Sequence, residues 1–546
     1  ATITSLYAGV DYETTQNAEL KISSNMIIKG NIIFDNIKLY SNSNSNSNML
    51  ISNYSGDITL GRNVSTPDGK YTFGAIIGGN YSAETKTGEL GTHTIRVEAG
   101  RYEKIVAGSL LDDGNATTIS KSITHNVVIG NMKDAAVSKN DKLTITGYVA
   151  IGENEKACYP KKVTNAANAI EAIYANVTLY SGTFTSGNTA IYLRSIKGAT
   201  DGIVKFEMYG GAVTGNIYGG SRVSTSYEGN VFNKMNFYGG QVTGNIFGQG
   251  LDTVFTGSTE ITLQGIIAIT GDIFGGSNTT TATNSSVGRG NSTITLNSSS
   301  ARVSGNVYGG GNITTLADGY ITGTTNIILN AGTVSNIYGS GYNCGNTGAT
   351  NITIENGTVN ENIYGGAKQN QARNVSNITA LGGTISGNIY GGNDNISSQL
   401  DEDAFFQKVN IVIGDTDETK APTINGIIFG GGKNDKIDVA KIELIECANI
   451  TSVFGGSEGN GLTITSEIYL KGMTVNEIYG GAKETGSTNI TSSISKIYLQ
   501  TGTATDVYGG GYKSYSAESH VDLEGTAVVT SIYGGPYKGG KVTTTN

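Results

Sequence analysis

Two short runs of acidic residues are the first places where this sequence could do chemistry. They are Asp112-Asp113 and Asp401 to Asp403, the densest groups of carboxylates in the chain. Glycoside hydrolysis needs two carboxyl groups on either side of one sugar bond, and calcium binds clusters of carboxylate and carbonyl oxygens. The two runs are far apart, and both lie in segments that interrupt the repeat described below. We therefore interpret them as solvated loops and predict no catalytic residue.

A second candidate is the stretch GGKNDKIDV, from Gly431 to Val439, which resembles the calcium-binding nonapeptide of β-roll proteins. Asn434 and Lys436 stand where the second half of that motif requires glycine and aspartate. The stretch also lacks the tandem copies in which the motif occurs. The sequence therefore predicts neither a metal site nor a cofactor.

The histidines and cysteines show no spacing that is typical of a metal or catalytic site. The three histidines, His93, His125 and His520, are far apart, and we expect each of them in a strand or at the surface. An odd number of cysteines leaves at least one unpaired within a monomer. Two interpretations stay open for them, small buried hydrophobic residues or a cross-link between subunits. The cysteines are Cys158, Cys344 and Cys447.

Composition limits the class of protein before any element is assigned. Among 546 residues there are 79 glycines, 4 prolines and no tryptophan, and only 15% of residues are charged. A hydrophobic share of 37% is too high for a disordered chain. The net charge of −9 and the absence of Lys or Arg clusters argue against a nucleic-acid partner, and no apolar run is long enough for a membrane helix. The first residue is Ala, which we interpret as a mature chain after removal of a signal peptide.

One phrase recurs along the chain: a β-branched residue, an aromatic residue and then one or two glycines. The shortest step between aromatic positions is 25 residues, as from Phe429 to Phe454, and the longer steps carry insertions. A sharp lower limit with variable longer steps indicates a fixed structural unit with a variable loop. Fainter copies occur upstream, for example at Ile191-Tyr192. We predict that the aromatic residues form a ladder: Tyr218, Phe247, Phe274, Tyr308, Tyr338, Tyr364, Tyr390, Phe429, Phe454, Tyr479, Tyr508 and Tyr533.

Each repeat contains a short alternating strand, a glycine corner, a second brief apolar strand, a polar link and the aromatic phrase. The apolar positions on either side of the link are three residues apart in some repeats and four in others without disturbing the pattern, so we predict that the link is a bend. The fold class predicted is an all-β parallel β-solenoid with three short strands per coil, about 25–30 residues per coil and variable loops. The residues before the aromatics form the expected core ladder: Ile217, Ile246, Ile273, Val307, Ile337, Ile363, Ile389, Ile478 and Ile532.

The predicted organisation has three parts: N-terminal coils at 1–110, irregular coils with insertions at 111–200, and regular repeats at 201–546. Within the irregular part, NAANAIEAIYAN at 165–176 is compatible with a short helix. If the aromatic ladder faced outward it could bind carbohydrate, but its constant register with glycine favours a structural stack. A ladder of amides is expected at the bend: Asn216, Asn245, Asn306, Asn336, Asn362 and Asn388.

The phrases GGTISGNIYGG at 382–392 and GTVNENIYGG at 357–366 resemble the glycine-rich β-strand-repeat surface proteins of anaerobic bacteria. They are also similar in style to β-helical sheath and adhesin proteins of prokaryotic cell surfaces. The resemblance covers about Val204 to Gly535 well and the rest weakly. It implies a secreted protein at the cell surface that is wall-associated or assembles with itself, with cell-wall or surface glycans as further partners. It carries over no catalytic residue.

The two ends of the sequence are alike. Ile3, Leu6 and Tyr7 match the pattern of the last aromatic phrase at Ile532-Tyr533, and the tail after it includes Val542 and Thr544. We expect the tail to supply the first strand that the next copy lacks, which predicts a head-to-tail filament, sheath or matrix. Two alternatives stay open: a fragment of an adhesin stalk, or a polysaccharide-active enzyme with an acidic cleft.

Overall fold

The computed structural model describes most of the chain, and all structural statements refer to that part. The described residues are 6–8, 18–22, 26–41, 49–53, 56–66, 73–78, 92–107, 122–135, 142–151, 172–187, 189–193, 201–220, 227–228, 230–251, 254–255, 257–279, 290–313, 320–321, 323–343, 345–346, 348–369, 372, 374–394, 406–416, 420–447, 450–459, 461–484 and 493–546. They contain no α-helix, and one turn of 3-10 helix spans Met132–Asp134. The chain divides into two compact units, Ala1–Gly271 and Asp272–Asn546.

The first unit is a parallel β-solenoid, as the sequence predicts. Each strand pairs in parallel with the equivalent strand of a neighbouring coil. The first strands of the coils are β1 (Leu6–Ala8), β4 (Ile32–Phe34), β7 (Ile58–Leu60), β9 (Thr92–Val97), β11 (Ser122–Ile129), β13 (Ala172–Leu179) and β16 (Asp201–Met208). β20 (Asn230–Thr243) and β23 (Ser258–Ile269) continue from the first strand into the second.

The remaining strands of this unit complete its coils. Second strands are β2 (Ala18–Ile22), β5 (Ile37–Ser41), β14 (Thr183–Phe184) and β17 (Ala212–Thr214). Third strands are β3 (Met26–Lys29), β6 (Met49–Asn53), β8 (Phe73–Ile77), β15 (Thr189–Tyr192), β18 (Asn216–Tyr218) and β21 (Ile246–Phe247). β10 (Gly100–Val106) and β12 (Leu143–Ala150) span both positions, and β19 (Tyr227–Glu228) pairs with β22 (Val254–Phe255).

The second unit is also a parallel β-solenoid. Its first strands are β26 (Ser292–Leu296), β31 (Thr325–Leu329), β35 (Thr350–Ile354), β38 (Asn374–Ala380), β41 (Phe406–Ile413), β44 (Lys436–Leu444), β48 (Ser516–Leu523) and β50 (Val542–Thr545). Second strands are β27 (Arg302–Val303), β32 (Thr333–Val334), β36 (Thr358–Val359), β39 (Thr384–Ile385) and β42 (Thr423–Ile424). Third strands are β24 (Ile273–Phe274), β28 (Val307–Tyr308), β33 (Ile337–Tyr338), β37 (Ile363–Tyr364), β40 (Ile389–Tyr390) and β43 (Ile428–Phe429).

Four longer strands of the second unit join positions that are separate in other coils. β45 (Ile450–Phe454) and β49 (Val528–Tyr533) span the second and third positions, while β46 (Leu462–Tyr479) and β47 (Ile494–Tyr508) span all three. Two loop pairs lie outside the coils: β25 (Asn278–Thr279) with β29 (Asn312–Ile313), and β30 (Tyr320–Ile321) with β34 (Gly345–Asn346).

The core is filled by the alternating residues of each first strand. In β35, Thr350, Ile352 and Ile354 are buried and the residues between them are partly exposed. Alternate side chains point to opposite faces of a strand, so this pattern places one face inside the coil. Ile352 pairs with Ile327 on one side and with Ile378 on the other, which continues the same row through three coils.

The polar link behaves differently in coils of different length. Where the two apolar positions are four residues apart in sequence, as Val359 and Ile363 are, the strand is interrupted between them. Where they are three apart, as Val475 and Ile478 are, β46 continues through the link, so the prediction of a bend that interrupts every coil is wrong there. All four residues are buried. Both lengths therefore keep the apolar side chains inside.

The predicted helix at 165–176 is wrong for its described part. Ala172 to Asn176 lie in β13, which pairs in parallel with β11 and β16. Alanine favours helices in isolation, but two neighbouring coils provide a complete set of backbone hydrogen-bond partners here. Tertiary pairing therefore overrides local propensity.

Candidate functional site

A continuous stack of aromatic rings runs through the second unit. Each ring from Phe274 to Tyr533 packs face to face on the ring of the next coil, with centroids 4.5–5.2 Å apart and interplanar angles of 3–16°. In the first unit, Tyr192, Tyr218 and Phe247 stack in the same way, at 5.5 and 4.9 Å. Parallel strands in register require this spacing, because equivalent residues repeat at the strand separation.

The residues before the aromatics form a second row beside the stack. In the first unit Ile217 pairs with Ile246. In the second unit the row runs Ile273, Val307, Ile337, Ile363, Ile389, Ile428, Val453, Ile478, Val507 and Ile532. All of these side chains except Ile532 are buried. The structure thus brings every residue of the expected core row together within its own unit.

The rings of the stack are buried except for Tyr533 in the last coil, but some of the hydroxyl groups meet charged side chains. Tyr338 donates a hydrogen bond to Asp394 Oδ2 at 3.1 Å, and Tyr390 donates one to Glu458 Oε2 at 2.8 Å. Burial, and then the negative charge of Asp394, raises the pKa of Tyr338 above its ordinary value. Neighbouring rings cover both faces of each ring inside the stack, which favours the structural role over a platform for sugars.

A row of alternating charge covers the stack. Its members stand four residues after successive aromatics: Lys368, Asp394, Lys433, Glu458 and Lys483. Lys433 Nζ lies 2.6 Å from Asp394 Oδ1, and Lys483 Nζ lies 3.5 Å from Glu458 Oε1. Lys433 also lies 5.4 Å from the ring centroid of Tyr364. Sequence reasoning missed this row, although the constant spacing from the aromatic would have shown it.

The predicted amide ladder at the bend is present and has a defined chemistry. The side-chain oxygens of four of these asparagines accept a hydrogen bond from a backbone N–H one coil further on, whereas Asn306 Oδ1 accepts from Asn336 Nδ2 at 2.9 Å. Asn336 Oδ1 accepts from Asn362 N at 2.9 Å, and Asn362 Oδ1 accepts from Asn388 N at 2.8 Å. In the first unit Asn216 Oδ1 accepts from Asn245 N at 2.8 Å. The amides therefore satisfy backbone donors that the bend leaves unpaired.

The GGKNDKIDV stretch encloses a buried carboxylate. Asp435 Oδ1 accepts from Gly432 N at 2.7 Å, and its Oδ2 accepts from Asn393 N at 2.7 Å and from Asn393 Nδ2 at 3.2 Å. Burial raises the pKa of Asp435 to about 6, while these N–H donors act in the opposite direction. Both carboxylate oxygens already have protein partners. The group is therefore an anchor between two loops, and its oxygens do not face an open metal position.

Two histidines that are far apart in sequence lie in contact inside the first unit. His93 and His125 are fully buried, paired across β9 and β11, with ring centroids 4.6 Å apart. Their position in strands matches the expectation, but their pairing was not foreseen. The sequence does contain a signal for this pairing. Each histidine stands two residues before the two alternating buried residues that end its strand, Ile95 and Val97 in β9 and Val127 and Ile129 in β11.

The last coil of the second unit exposes the ends of the buried rows. Leu523 is 59% exposed and Ile532 is 45% exposed, whereas the residues below them, Leu499 and Val507, are fully buried. Tyr533 is 47% exposed, against a few per cent for the ring beneath it. This surface is a cross-section of the solenoid core, with unpaired strand edges beside it.

The C-terminal tail covers part of that cross-section. β50 pairs in parallel with the front of β48, where Val542 lies opposite Ser516 and Thr544 opposite Glu518. The tail therefore begins the first strand of a further coil, as the sequence predicts. Asn546 O accepts a hydrogen bond from Val521 N at 3.2 Å, and Leu523 lies beyond this contact.

The predicted equivalence of the chain's two ends is wrong. Leu6 and Tyr7 lie in β1, a first strand, where Leu6 pairs with Ile32 and Tyr7 with Ile33. Ile532 and Tyr533 lie in a third strand. A pattern of apolar residue, tyrosine and small residue occurs at more than one position of a coil, and only hydrogen-bond register separates them. Ile3 lies outside the described residues.

Cys447 and His520 each contact another group of the second unit. Cys447 is buried, its Sγ donates to Pro422 O at 2.9 Å, and burial raises its pKa to about 11. His520 Nε2 lies 2.8 Å from Glu518 Oε1 on β48. Within the described ranges no three His, Cys, Asp or Glu residues are placed to hold a metal ion. Four predicted groups lie outside those ranges: Asp112-Asp113, Asp401 to Asp403, Cys158 and Cys344.

Comparison of the chain with protein-family models, with curated proteins and with solved structures finds no match in any of the three. Among the described residues, no helix has the length and apolar character needed to cross a membrane.

Proposed function

We propose that this chain is a structural protein of the cell exterior whose copies join end to end into a filament, sheath or matrix. The observation that carries the proposal is the exposed core at the last coil of the second unit. Leu523, Ile532 and Tyr533 continue rows that are buried in every earlier coil of that unit. Apolar surface of this kind is stabilised when a further coil removes it from water.

A second copy of the chain fits this surface. β50 occupies the first part of a new first strand. It does not extend along the positions opposite Val521–Leu523, the last three residues of β48. β1 occupies the corresponding last three positions of its own first strand, because its row continues to Ile95–Val97 at the end of β9. β1 of one copy can therefore lie in the same row as β50 of a second copy, and both strands would then pair with β48 of that second copy.

The direction of the strands supports a linear assembly. All described pairings in the rows of β1 and β48 are parallel, so a copy that extends the rows must present its opposite end. Such a contact is heterologous and does not close on itself, which gives a linear polymer. The location at the cell exterior rests on the resemblance to glycine-rich surface repeats.

Two matched substitutions test the proposal. Ile532→Lys places a charge on the exposed end of the core, and Ile203→Lys places the same charge on an equally exposed isoleucine, 47% exposed, in β16. Electron microscopy and light scattering of the 546-residue chain should show polymers for the unaltered protein and for Ile203→Lys. Ile532→Lys should remain a folded monomer. A chain that stays monomeric at all concentrations, or equal effects of both substitutions, would show the proposal to be wrong.

A further inference from the structure

A basic cavity opens in the first unit, where the second strands of successive coils lie side by side. Its volume is about 250 Å³. Three cationic residues line it, Arg62 after β7, Arg101 in β10 and Lys142 before β12. Thr66 and Thr144 add hydroxyl groups, and Arg101 N donates to Thr66 Oγ1 at 2.5 Å. Arg101 and Thr144 are neighbours in the parallel ladder, so the cavity is built on paired strands.

The cavity carries more positive than negative charge. Asp134 forms an ion pair with the Nη2 atom of Arg62, and no acidic residue is among the residues that line the cavity. The Nε atom of Arg62 is buried and has no hydrogen-bond partner among the described residues. Arg101 and Lys142 are held by further contacts. Arg62 therefore retains one buried donor beside a cavity that two further cationic side chains line, and Oδ2 of its partner Asp134 is also buried without a hydrogen-bond partner among the described residues.

This combination suits an oxyanion that is attached to a larger polar molecule. Arginine presents a planar fork of donors that matches a carboxylate or sulfate group. A cavity of this size has room for roughly eight waters at about 30 Å³ each, more than a bare sulfate requires. The threonine hydroxyls, together with that of Ser65, can bond to sugar hydroxyls. We propose that the cavity binds an acidic sugar unit, with its carboxylate or sulfate at Arg62.

The inference goes beyond the proposed assembly, since the cavity lies in the first unit and the exposed core surface lies in the last coil of the second. It assigns a binding site to the glycan partner that the resemblance to surface proteins implies. A polymer of such chains would present one cavity in each copy, so that weak binding to an acidic polysaccharide would be strengthened by multivalency.

Calorimetric titration of the full chain with digalacturonate, galactobiose and inorganic phosphate tests the proposal. Digalacturonate should bind, galactobiose should not, and phosphate should bind more weakly than digalacturonate. Arg62→Gln should weaken digalacturonate binding by about tenfold or more, because it removes a charge-assisted hydrogen bond. Lys408→Gln removes the same charge from an exposed position on β41 and should leave binding unchanged.

Thermal unfolding of Arg62→Gln shows whether the variant is folded, and Lys142→Gln, at an exposed position, is a second test that leaves the Arg62 ion pair intact. It should weaken binding by a smaller factor. Equal binding of phosphate and digalacturonate would overturn the assignment to a sugar. If both cavity variants bind digalacturonate as tightly as the unaltered chain does, or if the unaltered chain does not bind it, the site itself is overturned.

Discussion

His93 and His125 contact each other inside the core of the first unit, where both side chains are fully buried. His93 Nε2 lies 2.6 Å from the carbonyl oxygen of Ala107 and 3.1 Å from His125 Nδ1. A carbonyl oxygen only accepts, so His93 Nε2 carries the proton and His125 Nδ1 is an acceptor. His93 Nδ1 and His125 Nε2 are buried without a hydrogen-bond partner among the described residues. The pair is therefore built for two neutral rings.

The stability of the first unit should fall as the pH falls below neutral. Burial lowers the pKa of His93, and burial together with the neighbouring His93 ring lowers the pKa of His125 well below the ordinary value of 6.5. Below that value the unfolded chain binds protons that the folded chain does not. The free energy of unfolding then decreases by up to about 1.4 kcal/mol per pH unit for each histidine.

Circular dichroism melts between about pH 5 and pH 8 measure this dependence. His125→Leu should reduce the dependence of the free energy of unfolding on pH relative to the unaltered chain. An unchanged pH dependence in this variant would show that the buried pair is not its source.

Gly366, the second glycine after Tyr364, should be essential inside the solenoid, whereas Gly535, at the same position after Tyr533, should be dispensable at the exposed end. A Cβ added at Gly366 would overlap Asn393, whereas a Cβ added at Gly535 meets nothing within 4 Å. Asn393 cannot move away, since its Oδ1 accepts from Ala367 N and from Ala372 N. Gly366→Ala should therefore lower the free energy of unfolding by about 3 kcal/mol.

Gly535→Ala is the matched control at the same position of the repeat. Urea unfolding should show a change within about 0.5 kcal/mol for this variant. The same substitution should weaken end-to-end association, because a coil of the next copy would meet the added methyl group. Equal destabilisation by both substitutions would contradict the packing described for Gly366.

Asp435 should not tolerate its closest neutral substitute. The donors from Gly432 and Asn393 point at both carboxylate oxygens, so the amide nitrogen of Asp435→Asn would face an N–H group. Thermal unfolding should show a loss of about 2–3 kcal/mol. Asp438→Asn, three residues further on, is the control and should be close to neutral. Added calcium should not shift the melting temperature of either variant, and a clear stabilisation by calcium would contradict the anchor role.

The same carboxylate has a pH dependence of opposite sign to the histidine pair. Because the pKa of Asp435 is raised to about 6 from an ordinary 3.8, the folded chain binds a proton before the unfolded chain does. The stability that this proton contributes is therefore lost as the pH rises from 3.8 to about 6. Comparing Asp435→Asn with the unaltered chain between those two pH values isolates the effect.

Removal of the tail should separate assembly from folding. Deleting Lys541 to Asn546 removes β50, which pairs only with β48 among the described strands. We expect the shortened chain to melt cooperatively near the temperature of the full chain, because the deleted residues are mostly exposed. Polymers seen by electron microscopy should be lost. Polymers of unchanged length would show that β50 takes no part in the contact.

Much of the fold could be predicted because one repeat unit occurs many times in the sequence. The aromatic and aliphatic rows follow from a constant phrase, and parallel pairing in register turns a sequence repeat into a spatial row. The fainter upstream phrase was also located, since Ile191 and Tyr192 pair with Ile217 and Tyr218. The placement of Leu6 and Tyr7 failed, because a single weak copy of the phrase does not distinguish the first strand from the third.

By itself the sequence determined the solenoid class, the rows of Ile and Tyr and the amide ladder, since each depends on residues that recur at a fixed position of the coil. Only the tertiary structure decided which unrelated residues meet across coils, as His93 meets His125 and Asp435 meets Asn393. Variable loops change the number of residues between such pairs, so their sequence separation carries no regular signal. Stacking in register removes that variation, and it brings each residue to the neighbour that its strand position assigns.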